Sequence, residues 1–357
     1  MHPPSTSGQA CAVSYRRLRA IGEPLDMLVD NLYERNVGYV VVEVKGERQP
    51  VGTVFFVGLD LVSTLQTEML TNANLDPKQL YAVHPTYAVT CRHVIEAALN
   101  AGRTFLRLNK TDGGADDIVS VSSDWVHSER TDISISRLSL PRGFDYWPYP
   151  LSARDSTERD LIPGCGVFFV GMFRQLPGSG VVQALVRSGT IARPHVAVPI
   201  EIKPGIEQSV EAHLVEARSW GGESGSPVFV YDEYQRTEDS DPISRSTWIS
   251  PGFERRYFGD IRKPRMIRAS EVHPELLGLL YGHFEIPTDV TRGEKRIGGV
   301  AVNSGIAVVI PVSEIIKTLM SEPLMDDRRA LMEEQKARAL RRLKAAIKPD
   351  DADPTER

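Results

Sequence analysis

The sequence predicts an all-β protein built from two β units, with an α-helix at its C-terminal end. Three observations carry that expectation. Short runs of Val, Ile, Phe, Tyr and Thr, punctuated by Gly, recur along most of the chain, the pattern of strands joined by tight turns. The runs fall into two groups on either side of the Pro- and Arg-containing segment 141–163, which suggests two barrels or sandwiches. The end of the chain changes to Ala, Leu, Glu, Lys and Arg, residues that favour helix.

Taken in order, residues 1 to about 20 are small and polar, and Leu25 to Arg35 is expected to form a short helix. Tyr39 to Val44 and Val51 to Val57 read as strands flanking a hairpin turn at Lys45-Gly46-Glu47-Arg48. Tyr87 to Thr90, Thr104 to Leu108, Ile118 to Val121 and Ile133 to Leu138 complete the first group, with Asp60 to Lys78 as a polar insertion. The second group comprises Val167 to Val170, Val181 to Ser188, Thr190 to Ile191, Glu211 to Val215, Pro227 to Val230, Leu277 to Leu280 and Ile306 to Ile310. Residues 231–272 interrupt it with a charged stretch carrying Pro242, Pro251 and Pro264. A loop of that length inside a compact domain is usually functional or disordered. Met325 to Ile347 reads as a charged helix with a narrow apolar stripe through Leu331, Met332, Ala339, Leu340, Leu343 and Ile347. The acidic tail after Pro349 is expected to be disordered. The domain plan is an N-terminal extension (1–35), a first β unit (36–145), a second (146–320) containing the insertion 231–272, and a C-terminal helix and tail (321–357).

Bulk properties narrow the function. Over 357 residues, 41% are hydrophobic and 25% charged, the balance of an ordinary globular protein. A net charge of -5 argues against a dedicated nucleic-acid binder. No apolar run approaches the roughly 20 residues that cross a bilayer, so no membrane partner is expected. The first residues, MHPPSTSGQACAVSYRR, lack the apolar core of a signal peptide. Three cysteines (Cys11, Cys91 and Cys165) make no disulfide framework, and Cys91 and Cys165 read as buried small hydrophobes. A cytoplasmic location is expected. His84, His127, His195, His213 and His273 show no metal-ligand spacing, and no phosphate-binding glycine loop occurs, so no metal or organic cofactor is expected.

Three local signals carry chemistry. Thr90-Cys91-Arg92-His93-Val94 is a strand ending in a histidine. Thr131-Asp132-Ile133-Ser134-Ile135 is an aspartate entering an alternating strand. Gly221-Gly222-Glu223-Ser224-Gly225-Ser226-Pro227 is a glycine-rich turn before the apolar strand Val228-Phe229-Val230. A serine hydroxyl becomes a nucleophile at neutral pH only with a base in hydrogen-bond reach, and that base needs a third group to fix its tautomer. Histidine suits the base because its pKa lies near neutrality. Ser224 is thus the candidate nucleophile, His93 the general base and Asp132 the orienting group. The glycines let the N–H groups of Gly222 and Ser224 point at one spot, a candidate oxyanion hole. Read singly, each signal has a plainer meaning: a strand-capping histidine, a turn aspartate, a Gly-rich turn.

Gly222-Glu223-Ser224-Gly225-Ser226-Pro227 resembles the GDSGGP motif of the chymotrypsin/trypsin-like serine proteases. Thr90-Cys91-Arg92-His93 resembles their TAAH segment, and Thr131 to Ile135 their D-I-A-L segment. The order His, Asp, Ser is also theirs. Gly52-Thr53-Val54-Phe55-Phe56-Val57 is similar to the GTGFFV opening of bacterial members. Arg187-Ser188-Gly189-Thr190-Ile191 and Asn303-Ser304-Gly305-Ile306-Ala307 are similar to segments of their second barrel. The likeness spans roughly residues 36 to 318. It implies two six-stranded antiparallel β-barrels with the triad in the cleft between them.

The resemblance also frames the departures. Glu223 stands where an Asp or Asn is usual; in digestive members that Asp binds a newly cut N-terminus. This chain has no Ile-Val-Gly-Gly start, so that switch is expected to be absent. Ser226 replaces a Gly. Arg92 stands where a small residue is common and is expected to point outward. Arg218 occupies the position at the base of the primary specificity pocket, where it would favour an acidic substrate side chain; the plainer reading has it facing solvent or pairing with Glu216 or Glu223. Tyr281-Gly282-His283 matches the substrate-binding edge strand, where a peptide would add as a further strand. The function this implies is a serine endopeptidase acting on protein or peptide substrates through an acyl-enzyme. The insertion 231–272 and the C-terminal helix are candidate docking elements for a protein partner. Two other readings remain: a non-catalytic peptide-binding or scaffold module on the same fold, and an esterase using the same triad.

Overall fold

β1 (Val37–Val44) and β2 (Glu47–Leu59) meet at the two-residue turn Lys45-Gly46, where both residues take positive φ, 54° and 83°. That is the backbone a two-residue hairpin demands, because it matches the twist of the flanking strands. The structure is a computed structural model and describes residues 31–59, 85–151, 161–176, 178, 180–203, 205–218, 221–230, 274–292 and 295–346. Asp60 to Lys78, the insertion 231–272, the tail after Pro349 and most of the N-terminal extension lie outside the described residues. Of the expected Leu25–Arg35 helix, one turn, α1 (Asn31–Glu34), is described.

The first sheet continues with β3 (Thr86–Cys91), helix α2 (Arg92–Ala101), β4 (Arg103–Asn109), β5 (Ala115–Ser120), β6 (Trp125–His127), β7 (Ile133–Leu138) and β8 (Tyr149–Leu151). Its strand order is β5-β4-β1-β2-β3-β7-β6, with β8 added to β2. Two features differ from the six-stranded antiparallel expectation. The sheet has eight strands, and β8 pairs with β2 in parallel. β6 and β8 have three residues each, too few to display a period. β8 also falls in the segment that the sequence plan gave to the second unit.

The second unit is a closed barrel of β9 (Gly166–Gly171), β10 (Leu185–Lys203), β11 (Ile206–Glu216), β12 (Pro227–Val230), β13 (Glu275–Arg292) and β14 (Lys295–Pro311), ordered β10-β11-β14-β13-β12-β9. This is the expected six-stranded antiparallel barrel. Its interior is filled by Val167, Phe169, Ile191, Val215, Val228, Leu280, Ala307 and Val309. Closure leaves no unpaired edge at these positions.

Aromatic packing ties β8 and α1 to the barrel, and Tyr149 of β8 lies 5.5 Å from Phe229. Tyr33 and Phe168 meet edge-on at 5.1 Å, Tyr33 and Phe229 at 4.7 Å, and Phe168 stacks on Phe229. Asn109 adds a two-way clasp: its side-chain N–H donates to Val182 O (3.0 Å) and its oxygen accepts the Val182 N–H (2.7 Å).

The chain ends in α3 (Val312–Leu319) and α4 (Glu322–Ala346). The expected C-terminal helix is present. It is anchored by a charge that the apolar stripe does not include. Arg328, 5% exposed, donates to Leu319 O (2.6 Å) and to the Tyr87 hydroxyl on β3 (3.3 Å). Arg137 of β7 pairs with Asp327 at 2.7 Å. Among the described residues no helix is long and apolar enough to cross a membrane.

Candidate active site

His93 lies in the first turn of α2, immediately after β3. Helix starts leave backbone N–H groups without partners inside the helix. Asp132, entering β7 from the other direction, supplies one. Its Oδ1 accepts the His93 backbone N–H at 2.9 Å, and its Oδ2 lies 2.5 Å from His93 Nδ1. Its backbone oxygen accepts the Arg92 N–H at 3.0 Å. One residue thus caps the helix and fixes the imidazole. Asp132 is 1% exposed whereas the His93 side chain is 47% exposed. The carboxylate is buried with its partners satisfied, and the ring meets the cavity. Tyr281 packs against the ring edge-on, with centroids 5.6 Å apart.

The Ser224 turn is held from both sheets. Thr53, wholly buried on β2, donates its hydroxyl to Gly222 O (2.9 Å) and its N–H to Ser224 O (3.1 Å). Its hydroxyl accepts the Met172 N–H (2.9 Å), and its own carbonyl accepts the Thr90 hydroxyl (2.6 Å). From the barrel, Gly225 N–H donates to Leu280 O and Leu280 N–H to Ser226 O, both at 2.9 Å. Gly225 has no substitute here: its φ is +88°, and a Cβ would lie 2.2 Å from Thr53 O.

Ser224, His93 and Asp132 line one cavity of about 510 Å³, together with Tyr281, Gly282 and His283. The sequence therefore named six residues that the fold brings together. Ser224 Oγ and His93 Nε2 share this cavity without a direct hydrogen bond between them. Such looseness between nucleophile and base is common before substrate binds. Gly222 has φ +102°, and its N–H and that of Ser224 flank Glu223 in the same turn.

Arg218 stands apart. It is exposed and does not line the cavity; its backbone oxygen accepts Arg187 Nη1 at 3.3 Å. Glu223 instead is 2% exposed and ion-paired with Arg187. Arg92 does not point outward as expected: its side chain is 12% exposed and donates to Glu96 (2.8 Å), a residue that itself lines the cavity. Cys91 is wholly buried with its thiol directed at Leu280 O (3.4 Å). Burial pushes that thiol well above its ordinary range, and the neighbouring Asp132 adds to the effect. This is an inert sulfur.

Cys91, His93 and Asp132 have donor atoms within 4.8 Å of one another, which raises the question of a metal. The 2.5 Å between His93 Nδ1 and Asp132 Oδ2 argues against one. Tetrahedral zinc with ligands at about 2.0–2.2 Å holds neighbouring donors roughly 3.3 Å apart. The spacing is that of a hydrogen bond.

Sequence reasoning missed three contributors to this site. Thr53 was legible only as part of a strand likeness. Glu201 and Lys203 reach the cavity from the end of β10. The Glu201 N–H also donates to the Tyr281 hydroxyl at 3.3 Å, and burial raises the pKa of that hydroxyl.

No family model matches this chain, and no curated protein sequence matches it. Solved structures of proteases are similar to it. The MamO protease domain from Magnetospirillum magneticum shares 13% identity at a TM-score of 0.41, over 81% of this chain and 98% of that one. The Rv3671c protease of M. tuberculosis, in its active form, shares 12% at 0.39, over 80% of each chain. A catalytically inactive tobacco etch virus protease in complex with substrate shares 11% at 0.34, over 81% of this chain and 86% of that one.

Proposed function

We propose that this chain is a serine endopeptidase, with Ser224 as nucleophile, His93 as general base and Asp132 as the residue that orients the base. The observation that carries this reading is the convergence of the three side chains on one cavity, with His93 Nδ1 held 2.5 Å from a buried Asp132 carboxylate. Nδ1–H donates to Asp132, so the lone pair of the neutral ring sits on Nε2, the nitrogen that must take the serine proton.

Ser224 Oγ attacks the scissile carbonyl carbon as its proton passes to His93 Nε2. The carbonyl oxygen becomes an oxyanion held by the N–H groups of Gly222 and Ser224. Collapse breaks the C–N bond. The amine leaves with the proton from His93, and Ser224 is acylated. Water then attacks the ester, again losing its proton to Nε2, and the acid is released as that proton returns to Ser224 Oγ. The peptide would lie along Tyr281-Gly282-His283, the stretch of β13 that follows the last β12 pairing at Leu279 and the Leu280 N–H bond to Ser226 O, adding as a strand.

A peptide-binding module without chemistry is the second reading. The lack of a direct bond between Ser224 and His93 would suit it. Incubation with a proteome-derived peptide library separates the two. The endopeptidase reading expects new termini with wild type and none with Ser224→Ala; identical products from both proteins would overturn it. Comparing peptide with ester turnover distinguishes an esterase.

A further inference from the structure

The Ser224 turn contains a charge that the proposed chemistry does not use. Glu223 lies between Gly222 and Ser224, the residues whose N–H groups form the proposed oxyanion hole. Its side chain is 2% exposed. A carboxylate in such surroundings is tolerated only when it is paired, and stripping its partner leaves a costly buried charge. One partner is Arg187 of β10, whose Nε contacts Glu223 Oε1 as an ion pair. Arg187 is itself fixed in two further directions. Its Nη1 donates to Arg218 O at 3.3 Å, and its guanidinium lies 5.7 Å from the centre of the Phe173 ring.

The turn is therefore gripped at successive residues by different sheets. Thr53 of the first sheet holds the carbonyls of Gly222 and Ser224. Arg187 of the barrel holds the side chain between them. An oxyanion hole works only if its donors are aimed before the charge develops, so what fixes the Gly222-Glu223-Ser224 backbone also fixes the rate. Gly222, at φ +102°, offers little stiffness of its own.

We infer that Arg187 is a positioning residue for the oxyanion hole: by neutralising buried Glu223 from within the folded chain, it holds the Gly222 and Ser224 amides in their working orientation. This rests on the endopeptidase reading above and deepens it. It gives the site a resident counter-charge, so that an incoming cation is not required to order the turn.

The test uses the full chain and an alkyl fluorophosphonate, whose reaction with serine develops negative charge on the phosphonyl oxygen. Inactivation is resolved into kinact and KI, and thermal melting monitors the fold. Arg187→Met keeps most of the side-chain bulk and removes the charge. The expected result is a kinact lowered 30-fold or more with KI within threefold, and recovery by Arg187→Lys to within about tenfold of wild type. A purely structural role would lower the melting temperature and leave kinact of the folded protein unchanged. Wild-type kinact in folded Arg187→Met, or no recovery in Arg187→Lys, overturns the inference. If Arg187→Met does not fold, Glu223→Gln takes its place: a tenfold loss of kinact supports the inference and a wild-type value overturns it. If wild type itself does not react, the endopeptidase reading has failed, and the inference with it. Reactive wild type beside equally reactive folded Arg187→Met would sink the inference alone.

Discussion

Replacing Asp132 by Asn changes one atom and separates two roles. Asp132 Oδ1 accepts the His93 backbone N–H at 2.9 Å, and an Asn side-chain oxygen can keep that bond. Oδ2 becomes an NH₂ facing His93 Nδ1, formerly 2.5 Å away. Two donors cannot face one another, so Nδ1 must accept and the ring proton moves to Nε2. His93 then presents N–H where it should present a lone pair. The wrong tautomer of a triad histidine lowers turnover by about 10⁴, or about 5 kcal/mol at 1.36 kcal/mol per decade. Because Asp132 is 1% exposed and its cap to α2 survives, stability should fall by only about 1–2 kcal/mol. The assay is fluorophosphonate inactivation at pH 7.5 beside urea denaturation. A kinact within tenfold of wild type, in protein shown to be folded, would refute the assignment of Asp132 to the tautomer.

Three further outcomes follow from the geometry. Thr53→Val keeps the shape but leaves Gly222 O and Met172 N–H without their buried partner, so urea denaturation should show a loss of about 3 kcal/mol; a change below about 0.5 kcal/mol would contradict the Thr53 network. Arg328→Met removes the bonds to Leu319 O and the Tyr87 hydroxyl and should cost about 2 kcal/mol, with fluorophosphonate reactivity kept, since α4 does not line the cavity. His213, 3% exposed, has its pKa lowered to about 4, chiefly by burial and further by neighbouring His195, with Glu211 opposing. The folded chain therefore holds the neutral ring, whose Nδ1 accepts the His195 N–H at 3.3 Å. Its contribution is complete above the unfolded pKa near 6.5 and is lost as pH falls toward 4, about 3 kcal/mol in all. Wild type should lose that much more stability between pH 7 and pH 4 than His213→Asn; parallel curves would refute it.

The candidate triad was legible because each member carries a local backbone signature: a strand end, an aspartate before an alternating strand, a glycine-rich turn. Nothing local announces that Thr53 and Arg187 grip that turn, since both look like ordinary strand residues until two sheets are docked. The alternation Val196, Val198, Ile200 and Ile202 was present in the sequence, and all but half-buried Val196 are buried. Pro194 and Pro199 obscured it, because proline argues against an interior strand, yet β10 runs through both and carries Glu201 and Lys203 to the cavity. Helix α2 was missed although Val94, Ile95 and Ala98 form its buried face and Gly102 follows its end. The histidine signal drew that segment into the reading of a strand. The eight-stranded first sheet depends on strands of three residues, which tertiary pairing creates and propensity does not.

Intact-mass analysis after fluorophosphonate treatment, followed by peptide mapping, asks whether one hydroxyl in this chain is chemically distinct. The account predicts a single adduct on Ser224 in wild type, absent from Ser224→Ala and strongly slowed in Asp132→Asn. Folded wild-type protein that stays unmodified, or an adduct that persists in Ser224→Ala, would contradict it.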